Sequence, residues 1–395
     1  MLKAINRIEG LLRYHHSKLY RCSLLLSSSC ALVSTNSSTS TLPSATTSSL
    51  KQSEPCIGFY NLDFSNQYIR PFSTTTINHN PRDDLEIFLP KISVVGVGGG
   101  GGNAINHMIE KNLGGVNFYA CNTDHQDLIK SLSKNRIQLG AKLTKGHGAG
   151  ANPEKGRLAA EESKQEIIDN FKDTDLLFLA AGMGGGTGTG SSPIIAKTIK
   201  ESKKDIIIVA VVTIPFKFEG KRKHLIAQQG LEELRKYVDT LVVISNENLL
   251  GNTNRDTPLD QAFLFADDIL HNGVRSIANI INVPGIINLD YSDISSILIG
   301  RKGLSRIGFG EASGQDRAYK AVYDAMNNPL IENDNEKFTG LLVNISGGSD
   351  ISLKEINRVT VYLQENSDPD VQIFVGHCVD ESLLGSMRIS VLFVH

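Results

Sequence analysis

A glycine-rich segment, AAGMGGGTGTGS (residues 180–191), constrains the fold of this 395-residue chain more than any other part of the sequence. Its centre, Gly184–Gly190, contains five glycines and two threonines. Glycine loses more backbone entropy on folding than any other residue, so a run of this kind is poor material for a hydrophobic core. The apolar segment Leu176–Ala181 precedes it and predicts a buried strand, and Pro193 suits the first turn of a following helix. We therefore expect a strand-to-helix loop whose backbone approaches a ligand closely.

Two other glycine-rich segments take similar positions. Gly96–Asn103 (GVGGGGGN) follows the strand-like Ile92–Val95 and leads into a helix predicted to begin near Asn103. Gly146–Pro153 (GHGAGANP) precedes a helix predicted over Lys155–Phe171. The carboxyl ends of parallel strands form one edge of a sheet, and helix N-termini there favour anions. One such loop is explained equally well by a tight turn, but three on one edge predict a polyphosphate site.

The rest of the first half repeats a strand-then-helix pattern. Ile206–Ile214 is almost entirely apolar and β-branched, which is typical of a parallel strand buried on both faces. This alternation predicts an α/β fold with a doubly wound parallel sheet and helices on both faces. The other elements predicted here are strands at Phe118–Cys121 and Leu241–Ile244 and helices at Leu225–Tyr237 and Leu259–Ile281.

The pattern changes after Pro284-Gly285. We expect a first domain over residues 91–283, which ends in the long core helix, and a smaller α+β domain over residues 284–395. The second domain is predicted from helices near Asp293–Ile299, Gln315–Met326 and Leu353–Gln364 and strands at Gly340–Ile345, Val371–Val375 and Arg388–Val394.

The N-terminal segment differs from the rest in composition. Residues 1–21 carry five basic side chains and one acid, and 15 of the 24 residues from Ser27 to Leu50 are serine or threonine. This composition is typical of an organelle transit peptide, which we predict over residues 1–73, followed by a flexible segment over residues 74–90. Arg70–Ser73 resembles a mitochondrial cleavage pattern, so we expect the mitochondrial matrix, with a plastid as the lesser alternative. A secretory signal around Leu24–Leu26 and a disordered leader are the other interpretations.

Composition excludes several classes of function. The formal net charge of −2 gives no indication of nucleic-acid binding, and no apolar run reaches the roughly 18 residues of a membrane-spanning helix. After the leader, only Cys121 and Cys378 remain, too few for a disulfide framework or a thiolate metal site. No Walker-type G-x-x-x-x-G-K-[ST] motif occurs. Gly96, Gly98 and Gly101 satisfy the dinucleotide pattern G-x-G-x-x-G, so a nicotinamide-dependent oxidoreductase is an alternative, but it leaves Gly184–Gly190 unexplained.

The glycine signature and several other motifs resemble those of the FtsZ family of the tubulin/FtsZ GTPases. The resemblance runs from about Lys91 to Val394 and, together with the leader, points to a mitochondrial type. The motifs that carry it are GVGGGGGN (96–103), NTD (122–124), GAGANP (148–153), AAGMGGGTGTG (180–190), PFKFEGK (215–221), PGIINLDYSD (284–293) and ASGQDRA (312–318).

The resemblance implies that the nucleotide is GTP, with Mg²⁺ bound through the phosphates and not through fixed side-chain ligands. Ala149 and Gly150 match the loop that senses the γ-phosphate. Glu219 matches the acid that bonds the ribose, Phe263 the ring that stacks on the base, and Asp267 the residue that reads the guanine edge. The full set of positions implied to bind GTP is Gly99, Gly100, Gly101, Gly102, Asn103, Asn122, Asp124, Ala149, Gly150, Gly185, Gly186, Thr187, Gly188, Thr189, Gly190, Glu219, Lys223, Phe263 and Asp267.

The catalytic segment implied by the resemblance is Asn288–Asp293. In the family it enters the nucleotide site of the next subunit, where Asp290 and Asp293, with Asn288, act on the attacking water. Without the resemblance, Asp-x-x-Asp before a helix indicates a capping arrangement. The implied function is a filament-forming GTPase that assembles a ring in mitochondrial division. The alternative is a slowly hydrolysing paralogue that co-assembles as a scaffold.

The implied partners are further copies in a head-to-tail polymer, a second paralogue, and unknown adaptors at the inner membrane. The chain ends near the last predicted strand, so we expect the family's usual C-terminal adaptor peptide to be absent. Lys223 stands where many relatives carry arginine, His147 replaces a commonly apolar residue, and Ser295 a commonly basic one. Arg301, Lys302 and Arg306 form a basic stretch that we interpret as a solvated face, with a lipid or partner patch as the alternative.

Overall fold

The computed structural model describes residues 90–250, 258–283, 285, 287–300, 304–328 and 338–394. The predicted presequence, and the flexible segment except for Pro90, lie outside these ranges, as do Arg301 and Lys302. Among the helices of the described ranges, none combines the length and the hydropathy that spanning a bilayer would require.

A single sheet of ten strands organises the described residues. Its strand order is β3-β2-β1-β4-β5-β6-β7-β10-β8-β9. The strands from β1 to β6 pair in parallel, whereas β10 lies antiparallel between β7 and β8. The strands are β1 Ile92–Val97, β2 Asn117–Asn122, β3 Asn135–Gln138, β4 Leu176–Gly182, β5 Ile207–Ile214, β6 Thr240–Ser245, β7 Leu304–Ser313, β8 Gly340–Gly347, β9 Gln372–Val379 and β10 Ser386–Val394.

Twelve α-helices accompany the strands in the described ranges. In the first half they connect parallel strands, which cannot be joined by a tight hairpin. They are α1 Gly98–Glu110, α2 His125–Lys130, α3 Ala141–Thr144, α4 Pro153–Glu162, α5 Lys164–Phe171, α6 Thr187–Ser202, α7 Lys221–Leu234, α8 Asn246–Leu250, α9 Leu259–Asn282, α10 Tyr291–Leu298, α11 Arg317–Met326 and α12 Leu353–Glu365.

The parallel strands are buried on both faces, as their continuous apolar sequences predict. Alternate residues of one strand belong to different cores because strand side chains point to opposite faces. Val94 of β1 packs in the core that contains α1 and α9, whereas Val95 packs in the core on the opposite face with α5 and α6. These two layers confirm the doubly wound α/β prediction. In β5, seven of the eight residues are buried.

The C-terminal part has its own core and also shares the first one. Strands β8 and β10 pack with α11 and α12, while Leu342 and Leu392 point back into the core around α9. Between α11 and α12, the almost fully buried Arg317 binds Asp350 and Glu355, at 2.6 Å each. This guanidinium lowers the pKa of Glu355 to about 2. A smaller α+β unit therefore continues the same sheet through β7.

Several predicted boundaries are wrong, and glycine is the main reason. Helix α1 begins at Gly98 and not near Asn103, and α6 begins at Thr187 and not at Pro193. Residues with low helix propensity occupy the first turns, where backbone N–H groups lack an intrahelical partner in any case.

Three other differences have local causes. The helix predicted over 155–171 is two helices that meet at Ser163, whose Oγ accepts a hydrogen bond from the Gly140 N–H at 3.0 Å. The prediction missed β7, although this strand joins the two halves of the sheet. Arg306 lies within β7 and is 7% exposed, so the predicted solvated basic face is wrong at this position.

The glycines of the first loop differ in what surrounds them. A Cβ at Gly101 would lie 2.4 Å from the carbonyl oxygen of Ala180, a distance that real structures do not tolerate. A Cβ at Gly102 would have no atom of the described residues within 4 Å. Neighbouring glycines in one motif therefore serve different purposes: one lets α1 approach β4, and the other leaves space open.

We predict opposite effects of alanine at these two adjacent positions. Gly101→Ala should lower the free energy of unfolding by about 2–3 kcal/mol, because the helix and strand backbones must move apart. Gly102→Ala should leave it unchanged or raise it by up to about 1 kcal/mol, because alanine favours the helix. Urea unfolding of both variants measures this, and an equal loss for both would contradict the packing argument.

Candidate nucleotide site

The predicted site residues gather where the strand order of the sheet reverses. The first six strands run 3-2-1-4-5-6, and β1 and β4 are neighbours although they are not consecutive in the chain. Val97, the last residue of β1, pairs in register with Ala181, the next-to-last residue of β4. The connections from these two strands leave toward opposite faces of the sheet, so a crevice opens at their carboxyl ends.

Four loops meet at this crevice, and side-chain and backbone contacts show how closely they approach. The hydroxyls of Thr123 and Thr187 are 2.6 Å apart, which joins the second loop to the signature segment. A Cβ at Gly98 would lie 2.9 Å from the Gly188 nitrogen, so α1 and α6 begin side by side. A Cβ at Gly186 would lie 2.9 Å from the Cβ of Ala149 in the third loop. The predicted convergence of the glycine-rich loops is confirmed.

Three helix N-termini therefore point toward one region. Helix α4 begins after Asn152, whose side chain accepts from the N–H of Glu154 at 3.0 Å. Helices α1 and α6 have no side-chain cap on their first N–H groups. Uncapped first turns and aligned helix dipoles provide the backbone donors and partial positive charge that phosphate oxygens need. The free backbone N–H groups of these first turns are therefore suited to bind an anionic group.

A cavity of about 240 Å³ continues from these first turns toward α9. The cavity is lined by residues that lie far apart in the sequence and that the resemblance assigns to one nucleotide site. Those residues are Gly100, Asn103, Gly185, Glu219, Lys223, Phe263 and Asp267. A smaller cleft of about 60 Å³ adjoins the first loop and is lined by Gly99, Gly102, Asn103 and Asn122, among others.

The wall of the cavity beside α7 carries an ion pair. The Nζ of Lys223 lies 3.0 Å from Oε2 of Glu219, and the other carboxylate oxygen of Glu219 accepts from the backbone N–H of Phe216. Both carboxylate oxygens of Glu219 therefore have a partner within the protein. Lys223 reaches the cavity as a point charge, whereas an arginine would offer a planar fork of donors.

The opposite wall comes from the first turns of α9. The Phe263 ring is 41% exposed and packs edge-on against Phe216, with centroids 5.5 Å apart. Burial raises the pKa of Asp267 to about 7, and the nearby His107 opposes that rise. An aromatic ring beside a half-buried carboxyl group provides a stacking surface and a hydrogen-bond acceptor for a purine base.

Some of the predicted GTP-binding residues form hydrogen bonds within their own loops. Asn122 donates to Asp127 at 3.3 Å and accepts from the N–H of Asp124, while Asp124 caps α2 through the N–H of Gln126 at 2.9 Å. Ala149 is buried, and Gly150 is exposed with φ +62°. The structure brings these residues to the same crevice without placing them in the larger cavity.

Three glycines of the signature are packed against backbone. A Cβ added at Gly188 would lie 2.4 Å from the Gly182 oxygen, and a Cβ added at Gly190 would lie 1.9 Å from the Pro153 oxygen. At Gly186 it would lie 2.8 Å from the Asn152 nitrogen. Thr189 is buried, and its hydroxyl accepts from the N–H of Gly184 at 2.8 Å. At Gly185, by contrast, no described atom lies within 4 Å of the Cβ position. Only part of the signature therefore faces open space.

Sequence reasoning missed one cavity residue that is polar and buried. Asn246 is 5% exposed, lines the cavity, and its Oδ1 has no hydrogen-bond partner among the described residues. A buried polar atom without a partner is costly, which fits a ligand that supplies the donor. The position of Asn246, directly after a buried strand at the carboxyl edge, is the sequence signal that could have identified it.

The predicted catalytic residues do not line either cleft of their own chain. Asp290 and Asp293 form a reciprocal capping box at the start of α10: the Asp293 N–H donates to Asp290 Oδ1 at 2.7 Å, and the Asp290 N–H donates to Asp293. Asn288 is exposed and accepts from the Gly285 N–H at 2.6 Å. The capping interpretation of Asp-x-x-Asp is therefore correct for the single chain.

The fold and the site together define a class. A doubly wound sheet whose crevice is built from helix N-termini is a nucleotide-binding fold, and the convergence of the Gly184–Gly190 signature with the other glycine-rich loops is the arrangement that the resemblance to the tubulin/FtsZ GTPases implies. Comparison with known families agrees: residues 91–254 match the Tubulin/FtsZ family, GTPase domain, and residues 303–394 match the FtsZ family, C-terminal domain. The chain belongs to the FtsZ family and is a GTPase. The alternative of a nicotinamide-dependent oxidoreductase is wrong.

Individual relatives agree with this assignment. The chain is 76% identical over 311 residues to the mitochondrial division protein fszB of Dictyostelium discoideum, covering 79% of this chain and 85% of the relative. It is 48% identical over 320 residues to cell division protein FtsZ of Wolbachia sp, with coverage of 78% and 80%. Among solved structures it is similar to an FtsZ dimer of M. jannaschii, with 40% identity, a TM-score of 0.73 and coverage of 78% and 88%.

The carboxylate of Asp267 gives a test of base recognition. Asp267→Asn should weaken GTP binding about a hundredfold, because an amide cannot accept from both N1–H and the 2-amino group of guanine. Xanthine carries a carbonyl at position 2, to which the asparagine N–H can donate, so the variant should gain affinity for XTP. Equilibrium binding of both nucleotides measures this, and the gain for XTP shows that the variant is folded.

The raised pKa of Asp267 predicts a pH dependence with a definite sign. Because burial raises the pKa of Asp267 to about 7, the protonated fraction of this carboxyl group in the free protein grows as the pH falls below 7. The predicted role of Asp267 as an acceptor for guanine requires that proton to leave. GTP affinity should therefore rise by roughly tenfold between pH 6 and pH 8 and then level off. The Asp267→Asn variant should lose this dependence. Calorimetry in buffers of different ionisation heat would count the proton released, and a flat profile for the unchanged protein would contradict the assignment.

Proposed function

We propose that the protein hydrolyses GTP at the contact between successive subunits of a head-to-tail filament. The observation that supports the proposal is that the predicted nucleotide-binding residues and the predicted catalytic acids lie in different parts of the chain. The residues suited to hold a nucleotide line the crevice and its cavity, whereas Asp290 and Asp293 line neither cleft. A site divided in this way is complete only when two copies meet, and such a contact repeats without closing.

The roles of the binding residues follow from their chemistry. The first turns of α1 and α6, with Gly99–Asn103 and Gly185–Gly190, bind the phosphates through backbone N–H groups. Glu219 and Lys223 lie beside the ribose, Phe263 stacks on the base, and Asp267 accepts from the guanine edge. Asn246 supplies a further acceptor.

The third loop, Ala149–Gly150, lies close enough to the signature segment to respond to the terminal phosphate. Asn122 and Asp124 keep the second loop in place.

The catalytic contribution comes from the neighbouring copy. Asp290 is exposed and Asp293 partly so, and each uses one carboxylate oxygen in the capping box, so among the described residues the second oxygen is left for water. These two acids orient and polarise the attacking water, and Asn288 helps to place their segment. Phosphoryl transfer depends mainly on positioning and on neutralising charge. The two acids contribute the positioning of the water, and the helix N-termini and Mg²⁺ would offset the charge of the phosphates.

Mg²⁺ fits the site as a companion of the phosphates. The described residues contain no group of three or more histidine, cysteine, aspartate or glutamate side chains that would hold a metal ion. Mg²⁺ commonly binds through substrate phosphates with few protein ligands, and when bound it neutralises the charge on their oxygens.

The cellular role that we propose is division of mitochondria, by a ring at the inner membrane that adaptors of unknown identity attach. Two observations support this role. The Dictyostelium relative is named as a mitochondrial division protein, and the first 73 residues have the composition of an organelle presequence. We propose the mitochondrial matrix as the compartment, and a second family member as an additional polymer partner.

The divided site predicts how turnover depends on protein concentration. GTP hydrolysis per subunit should be near zero in dilute protein and rise above a critical concentration. Asp290→Asn should lower turnover about a hundredfold, because a neutral amide polarises the attacking water much less than a carboxylate does, yet keep GTP affinity and the helix cap. Ser292→Ala in the same segment is the matched control and should behave like the unchanged protein.

A mixing experiment separates a shared site from a complete one. Asp290→Asn binds GTP but lacks the acid, and Asp267→Asn offers the acid but takes XTP. With both nucleotides present, each variant alone should hydrolyse little GTP, and the mixture should recover GTP hydrolysis at the contacts where the two variants meet. Turnover that is independent of concentration and not restored by mixing would overturn the shared-site proposal, and GTP binding without turnover at any concentration would favour a scaffold.

A further inference from the structure

A sheltered hydrogen bond joins the two helices that border the nucleotide cavity. The Nε2–H of His107 on α1 donates to Oδ1 of Asp268 on α9, over 2.7 Å. The Nζ of Lys111 also approaches this carboxylate, at 3.4 Å. The His107 side chain is 13% exposed and that of Lys111 is 51% exposed. The histidine contact is therefore the one that solvent weakens least.

The bond joins the two helices next to residues that line opposite walls of the cavity. His107 lies four residues, about one helical turn, after Asn103, which lines the cavity. Asp268 directly follows Asp267, which lines the opposite wall. The bond thus ties the helix that begins at the phosphate loops to the turn that carries the base-reading carboxyl group.

We propose that His107 is a positioning residue for guanine recognition. By holding Asp268, it fixes the turn of α9 that presents Asp267 at a set distance from the first turn of α1. A nucleotide must contact both ends of the cavity at once, so this distance determines how well a base can bind while its phosphates are seated. The inference rests on the proposed role of Asp267.

The groups that form this contact also affect the pKa of Asp267. His107 lowers the pKa of Asp267 against the effect of burial, whereas Asp268 raises it. The buried His271 is kept neutral, because burial and neighbouring cations lower its pKa to about 4. The titratable and charged groups that act on Asp267, Asp268 or His271 are His107 and Lys111 from α1 and Asp268 and Arg275 from α9. Glu219 and Lys223 line the cavity with Asp267.

The packing around His107 favours an imidazole ring at this position. Its ring meets that of His271 edge-on, with centroids 6.1 Å apart. His271 is 3% exposed, and its Nε2 has no hydrogen-bond partner among the described residues. Loss of the His107 ring would remove the donor to Asp268 and open space beside this buried histidine.

The test compares GTP with ITP, whose base lacks the 2-amino group. The ratio of their affinities reports the contact with Asp267, and it is measured by equilibrium binding to the full chain. His107→Ala should reduce the preference for GTP over ITP about tenfold. His107→Gln, which keeps an N–H donor, should retain most of the preference. Lys111→Ala is the matched control on the same carboxylate and should change the ratio less than twofold.

A second readout separates positioning from general destabilisation. In His107→Ala, the midpoint of the rise of GTP affinity with pH should move to higher pH, because the side chain that lowers the pKa of Asp267 against the effect of burial has been removed. A loss of thermal stability alone would leave both the ratio and this midpoint in place.

An unchanged ratio in folded His107→Ala, while the unchanged protein still prefers GTP, would overturn the role of His107 only. Equal affinities of the unchanged protein for GTP and ITP would overturn the assignment of Asp267, and the role of His107 with it.

Discussion

The close approach of backbone to backbone at the carboxyl ends of β1 and β4 is the constraint on which the rest of the structure depends. Helix α1 lies so near β4 that a Cβ at Gly101 would be 2.4 Å from the Ala180 oxygen, and α6 lies so near α4 that a Cβ at Gly190 would be 1.9 Å from the Pro153 oxygen. Side chains at these positions would separate the helices. Without that proximity, the N-termini of α1, α4 and α6 would not share one anion site.

This packing explains why one glycine run serves two purposes. Gly188 and Gly190 are needed because neighbouring backbone occupies the space, whereas Gly185 leaves its space open. A ligand therefore meets a surface of N–H groups that rigid packing holds in place. Groups held before the ligand arrives do not have to reorganise during reaction, which is the main way in which electrostatic stabilisation lowers a barrier.

The two halves of the molecule meet through α9 and the continuous sheet. Helix α9 carries Phe263 and Asp267 at its start and packs farther along with Leu342 and Leu392 of the C-terminal strands. The same helix receives the hydrogen bond from His107. A single helix therefore connects the end of the cavity that Phe263 and Asp267 line with the C-terminal strands.

The sequence by itself determined the class of fold, because buried parallel strands need continuous apolar runs and because glycine clusters recur where strands end. Through its motifs it also predicted a set of binding residues, many of which the structure brings together at one crevice. Only the tertiary structure decided where α1 and α6 begin, since helix propensity is low in their first turns, and which glycines are packed and which face open space. It also revealed Asn246, Arg306 in β7 and the His107–Asp268 bond, because contacts between residues far apart in the chain leave no local pattern for sequence reasoning to detect.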